Sequence, residues 1–369
     1  MRAWPVVGII IIQSILTLAQ WFICRTWIAF WFPQSPVLDF RLYTAIFLLT
    51  FSFVISAMLG FRYSNWFVAF SYKIATTWLG FLNYFFLAAI FSRLIALGYR
   101  LASTPAPRPL IAGSLFGLAV LTSIYGLVNA QSIRIRRVPI RLENIPASWH
   151  GRTAVLFSDL HLGNINALAF SRRIVRLANS LHPDIVFIPG DFFDGVKTNS
   201  LRMTAPFRDL AAPLGIYFAT GNHDEYGDLA HYLEALALTG IRILNNEKAD
   251  VDGLAILGVT YHQSTQILPM RSTLERLHPN PAEPAILLNH VPNRLPIAEQ
   301  AGISLQLSGH THGGQCFPFT WFTRRAFGKF TYGLQRFGKL QVYTSCGAGT
   351  WGPPMRVGTR PEIDLLQFQ

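Results

Sequence analysis

Five short blocks in the second half of this 369-residue chain gather Asp, Asn and His among glycines. They are Ser158-Asp159-Leu160-His161, Pro189-Gly190-Asp191, Gly221-Asn222-His223-Asp224, Asn289-His290 and Gly309-His310-Thr311-His312-Gly313-Gly314. Carboxylate, amide and imidazole groups are ligands for divalent cations, and mixed imidazole–carboxylate sets suit Mn, Fe or Zn better than Ca or Mg. Any one block, met alone, is more often a turn with satisfied polar side chains. Five in series are not explained that way, because each follows a run that reads as a strand. Ligands in open α/β sheets gather outside the carboxyl ends of strands, and glycine lets the backbone turn tightly there. The five histidines outside the blocks (His150, His182, His231, His262 and His278) lack comparable company and read as surface or core residues.

The elements that must position these residues are β-rich runs alternating with helical ones. Strands are expected at 153–157, 185–188, 216–219, 241–244, 255–259, 285–288, 304–307 and 340–344. Residues 167–181, with Arg172, Arg173 and Arg176 on the polar side, and residues 229–238 read as amphipathic helices. The second half is therefore expected to be α/β with buried sheets.

The first half is of another kind. The whole chain is 51% hydrophobic and only 14% charged, where a soluble domain carries about 25% charged residues. That balance excludes a wholly soluble or disordered protein. Residues 1–130 carry net charge +7 with a single acid, Asp39, whereas the remainder carries +5 and all ten histidines. Four apolar stretches, roughly 6–24, 40–60, 74–97 and 110–130, are each about the 20 residues a membrane helix needs. The third is expected to begin nearer Trp66, with Lys73 snorkelling. Trp4, Trp21, Trp27, Trp31, Trp66 and Trp78 fall mostly near span ends, as interfacial anchors do. No small-residue cleavage site follows the first stretch, so a removed signal peptide is a poor reading. The domain plan is a transmembrane helical anchor at 1–131, a basic juxtamembrane linker with a first strand at 132–151, and a catalytic domain at 152–369. With four spans, Arg2, Arg62, Lys73, Arg134, Arg136, Arg137 and Arg141 share one side. Arg25, Arg41, Arg93, Arg100 and Arg108 face the other. The positive-inside tendency then leans towards a cytosolic catalytic domain in the inner (plasma) membrane. Cys24, Cys316 and Cys346 are too few and scattered for a disulfide framework.

Taken in order, Asp-x-His, Gly-Asp, Gly-Asn-His-Asp, a lone His and Gly-His-x-His resemble the calcineurin-like metallophosphoesterase superfamily. The likeness covers about residues 152–369. Gly-His-Thr-His-Gly-Gly-Gln and the tail from Gly347 to Gly358 resemble its membrane-associated bacterial phosphodiesterase branch. The resemblance implies a four-layer α/β/β/α sandwich and two divalent metal ions. Asp159, His161, Asp191 and His312 would hold one ion. Asp191 would bridge to a second, completed by Asn222, His290 and His310. Two cations about 3.5–4 Å apart can bind the oxygens of a phosphodiester, an anion that repels nucleophiles, and activate a bridging hydroxide. His223 would protonate the leaving oxygen, with Asp224 orienting the ring and holding it protonated.

One segment lies beyond the motifs. From Gln300 to Pro361 there is no acid, while Arg324, Arg325 and Lys329 interleave with Trp321, Phe322, Phe327 and Phe330. These basic residues are expected either to grip a phosphorylated headgroup and meet the lipid bilayer, or to form a solvated loop. A transmembrane anchor favours lipid over nucleic acid. The expected function is hydrolysis of a lipid-linked phosphodiester or pyrophosphate. The alternatives are a non-catalytic receptor or scaffold for a phosphorylated ligand, and an anchored nucleotide phosphodiesterase.

Overall fold

The computed structural model describes residues 4–32, 36–278 and 280–369, without the side chains of residues 4–6, 36–40, 42, 46 and 47. Arg2 and the Asp39 side chain, both counted in the charge asymmetry, lie outside that set. The chain forms two compact units, one of Met1–Val128 with Gly352–Met355, the other of Asn129–Trp351 with Arg356–Gln369.

The first unit is built from helices α1 (Trp4–Trp31), α2 (Pro36–Arg62), α3 (Trp66–Leu101) and all but the last two residues of α4 (Arg108–Ala130). Each is long and apolar enough to cross a membrane. Helices satisfy every backbone hydrogen bond within the segment, as hydrocarbon requires. Helix α3 begins at the tryptophan, where Asn65 Oδ1 accepts from Val68 N at 3.0 Å and caps the first turn. Large apolar side chains face outward, among them Ile10, Leu18, Leu48, Leu118 and Leu121, the inverse of a water-soluble bundle. Inside, Phe116 of α4 packs edge-on against Trp27 of α1, ring centres 5.1 Å apart. Arg93 of α3 donates from Nε to Thr26 Oγ1 at 2.8 Å, so it is tied to a neighbouring helix.

The second unit has two six-stranded sheets. The first runs in the order β1 (Arg134–Ile140), β12 (Glu362–Phe368), β2 (Thr153–Leu156), β3 (Ile185–Pro189), β4 (Ile216–Ala219) and β5 (Arg242–Ile243). The second runs β10 (Gly333–Phe337), β11 (Leu340–Thr344), β9 (Leu305–Ser308), β8 (Ala285–Leu288), β7 (Leu254–Gly258) and β6 (Glu247–Val251). Strands β2 to β5 are mutually parallel, as are β11, β9, β8 and β7, so their carboxyl ends line up. Burial on both faces makes these central strands continuous apolar runs, such as Ile-Val-Phe-Ile in β3 and Ala-Ile-Leu-Leu in β8. A shared core holds the sheets face to face, with Leu156, Phe187 and Ala219 on one side and Ile256, Leu288 and Leu307 on the other. The outer faces are covered by helices. Leu168–Asn179 packs Ile174 and Val175 onto the first sheet, and Ile267–Leu277 packs Met270 and Leu274 onto the second. The result is the expected α/β/β/α sandwich. Strands β6, β10 and β12 were not among the strands expected from sequence.

Candidate metal centre

All five blocks stand at strand ends: the first three after β2, β3 and β4 of one sheet, the last two after β8 and β9 of the other. Among the described residues three close groups of potential ligands result, one of them His161, Asp194 and His223, and the other two made of expected donors. Asp159, His161 and His312 offer ligand atoms that all lie within 4.8 Å of one another, and so do Asp191, His290 and His310. His161 Nε2 and His312 Nε2 approach to 3.1 Å, and Asp159 Oδ1 is 3.3 Å from His312 Nε2. Asp191 Oδ2 reaches both sets, at 3.1 Å from His290 Nε2 and 3.7 Å from His161 Nε2. Asn222 Oδ1 meets His310 Nδ1 at 3.0 Å. All seven expected ligand residues are thus brought to one place.

The backbone is bent to achieve this. Asp159, His161, Asp191, His310 and His312 all have positive φ, between 46° and 68°. Non-glycine residues pay of order 1–3 kcal/mol each for such sparsely populated backbone, and strain of this kind collects at functional sites. The flanking glycines permit close approach. A Cβ at Gly190, where φ is +89°, would meet His290 Nδ1 at 2.6 Å and Gly221 N at 2.7 Å. One at Gly221 would collide with the Asp191 carboxylate.

Neighbouring groups set the ring orientations. His290 Nδ1 lies 2.8 Å from Pro189 O, and a carbonyl can only accept, so the ring donates from Nδ1 and turns Nε2 towards Asp191. Asp159 accepts from the His310 amide at 3.0 Å, and Asp191 Oδ1 accepts from the His223 amide at 2.9 Å. In the metal-free protein, burial pulls the pKa of His290 down, but Asp191 and Asp159 outweigh it and lift the ring to about 9. Burial raises Asp191, yet His290 and His161 overcome it and hold the carboxyl well below the usual range. Burial, reinforced by His290, brings His310 down to about 3, and burial with His161 drives His312 down as well. Burial lowers His310 and His312 while the neighbouring carboxylates raise His161 and His290, so this mixed imidazole and carboxylate set fits divalent cations, which would replace the protons held there.

His223 sits beside this cluster, its ring edge-on to His161 at 4.7 Å between centres. Burial and then His161 lower its pKa, leaving a neutral ring at pH 7. The expected role of Asp224 is corrected here. Its oxygens accept from Phe193 N and Gly221 N, both at 2.9 Å, which caps the short helix Asn222–Tyr226. The group that meets His223 Nδ1, at 3.1 Å, is the carbonyl oxygen of Asp194. Burial, with Asp191 adding to it, raises the Asp224 carboxyl to about 7 against the lowering effect of the Phe193 and Gly221 amides. The basic residues expected to bind substrate are not gathered in either. Arg324 and Arg325 lie on the exposed helix Phe319–Phe327, Lys329 just beyond it, and none touches the cluster among the described residues.

Sequence reasoning missed three residues. Asp194 presents Oδ1 to His161 Nδ1 at 3.3 Å, and its position three residues after Asp191 was the available signal. Trp351, 55% exposed, lies edge-on to His223 with ring centres 5.6 Å apart. Arg356 is fully buried and donates to Cys346 O, Gly347 O and Gly349 O at 2.8, 3.1 and 2.6 Å. It also reaches His312 O at 3.3 Å, pinning the loop after β11 to the Gly-His-Thr-His block.

Residues 153–314 match the calcineurin-like phosphoesterase family. A "transmembrane protein with metallophosphoesterase domain" from Danio rerio is 33% identical over 303 residues, covering 75% of this chain and 69% of that protein. An uncharacterized metallophosphoesterase from Campylobacter jejuni is 30% identical over 261 residues, covering 69% of each. The Bos taurus counterpart of the first is 33% identical over 273 residues, 68% of this chain and 61% of its own length. The chain belongs to the calcineurin-like metallophosphoesterase family, whose members are metal-dependent phosphoric ester hydrolases. With its apolar helices, and relatives named as transmembrane proteins, it is a membrane protein.

Proposed function

We propose that this protein is a multi-pass enzyme of the inner membrane that hydrolyses a lipid-linked phosphodiester or pyrophosphate at a dinuclear centre on the cytosolic side. The observation that carries the reading is the reach of Asp191 into both donor sets. Asp159, His161, Asp191 and His312 would hold one ion, and Asp191, Asn222, His290 and His310 the other. The bound ions would supply Lewis-acid activation of the phosphoryl group and of the attacking water. His223 is partly buried, and burial with His161 lowers its pKa, so the ring is neutral at rest. An arriving phosphodiester anion raises its pKa, so the ring takes up a proton that it then gives to the leaving oxygen. The Asp194 carbonyl, accepting from Nδ1, aims Nε2 outward for that transfer. A membrane-embedded anchor serves a substrate held in the same membrane. The orientation follows the excess of basic residues on one side of the spans.

The test follows hydrolysis of bis-p-nitrophenyl phosphate by the full chain in detergent, after chelation and after return of Mn, Zn or Mg. Turnover restored by metal and lost in His223→Ala and Asp191→Asn is expected. Metal-restored activity that survives Asp191→Asn would remove the shared-carboxylate reading.

A further inference from the structure

The helix Phe319–Phe327 has no buried residue. Its inner side leans on the metal centre through Phe327, whose ring lies edge-on to His310 with centres 6.0 Å apart. Its outer side carries Trp321 and Phe322, 62% and 55% exposed, with Phe319 at 54% and Phe317 just ahead at 51%. Arg324 and Arg325 lie on the same exposed surface, and Lys329 follows. No acid occurs between residues 300 and 361. The nearest acids on either side are engaged: Glu299 accepts from Lys339 N, and Glu362 pairs with Arg134 at 2.8 Å. Four large aromatic side chains held in water within six residues form the kind of contiguous apolar patch that marks an interaction surface.

We infer that the outer face of this helix lies on an anionic lipid surface. Tryptophan and phenylalanine interleaved with arginine is the composition of helices that lie in the headgroup plane, where aromatic rings enter the acyl boundary. The neighbouring cations meet anionic headgroups. A folded protein partner matched to this face would need acids opposite Arg324 and Arg325, whereas a bilayer supplies both the apolar and the anionic component. A bilayer is also always within reach, because the same chain carries four helices able to cross one. The helix thus has one face on ligand His310 and the other on lipid, so the centre is presented at a headgroup surface. This contact stands whether or not the centre turns over a lipid substrate.

The experiment uses the full chain reconstituted in phosphatidylcholine vesicles with or without phosphatidylglycerol. A nitroxide is placed at Phe322→Cys and, separately, at Trp321→Cys. Ser272→Cys, exposed on the helix Ile267–Leu277, serves as a water-facing control. Cys24, Cys316 and Cys346 are buried and leave little background labelling. The ratio of oxygen to nickel-chelate collision rates should rise severalfold at both helix positions over the control. The rise should shrink when phosphatidylglycerol is omitted or salt is raised. A ratio at positions 321 and 322 equal to that at 272 in phosphatidylglycerol vesicles overturns the inference. Protection that persists in detergent with dipolar broadening between labels also overturns it, assigning the face to a second copy of the chain.

Discussion

Asp194 serves two imidazoles with two different atoms. Its carboxylate stands 3.3 Å from His161 Nδ1, and its carbonyl oxygen 3.1 Å from His223 Nδ1. Substitution separates these roles, because the carbonyl survives any side-chain change. Asp194→Ala should weaken divalent metal binding about 10–100-fold, the usual loss when a group orienting a metal-ligating histidine is removed. His223 should keep its orientation. Competition with a chelating dye measures the first effect, and an unchanged metal affinity would show that His161 needs no support from Asp194. At this scale the sequence was legible to the extent that the chemistry is carried by side-chain type. The blocks brought forward Asp159, His161, Asp191, Asn222, His290, His310 and His312 as candidates, and the family resemblance singled them out from their neighbours. The partner of His223 was not, because a backbone carbonyl has no sequence signature.

At the scale of elements, β12 shows what patterning conceals. It runs between β1 and β2, yet its segment carries Glu362 and Asp364, which argue against a central strand. Both are fully buried. Glu362 pairs with Arg134 of β1 and accepts from Cys346 N at 2.9 Å. Asp364 accepts from Tyr343 Oη at 2.7 Å. The compensating residues are as far as 228 positions away, beyond any local window. Burial, and then Glu362, lift the Asp364 carboxyl to about 8. A carboxyl held above its unfolded pKa keeps a proton that the unfolded chain has released. Native stability therefore falls as pH climbs from about 4, the ordinary carboxyl value, and the whole penalty is present above about 8. Asp364→Asn removes the titration, so its melting temperature relative to wild type should rise between pH 5 and pH 9. Thermal unfolding of both proteins across that range checks this, and a difference independent of pH would contradict it.

For the molecule as a whole, the donor sets draw on both sheets: β2, β3 and β4 from one, β8 and β9 from the other. Cations held there would join strand ends of both sheets and would bind the folded chain alone. Saturation at a hundred times the dissociation constant should stabilise the fold by about 2.7 kcal/mol per site. Melting of the full chain in detergent, before and after chelation, should show that loss and its recovery with metal. Identical melting curves would mean that the centre binds no ion in the folded state. The membrane half was legible because hydrocarbon imposes length and composition directly on sequence. The α/β alternation was legible because buried parallel strands are nearly all apolar.

The sequence by itself determined the apolar spans and the central strands, which follow from local composition, and it brought forward the five blocks that contain the seven candidate donors, whose selection rests on the resemblance of those blocks to the family. The tertiary structure alone decided which donors share a site, that Asp191 reaches both sets and that Asp224 is a cap. It also decided that Arg356 pins two loops and that the aromatic face of Phe319–Phe327 is left outward. Those are matters of proximity between residues distant in the chain, set by how the strands are ordered and the two sheets packed, and no local pattern encodes them.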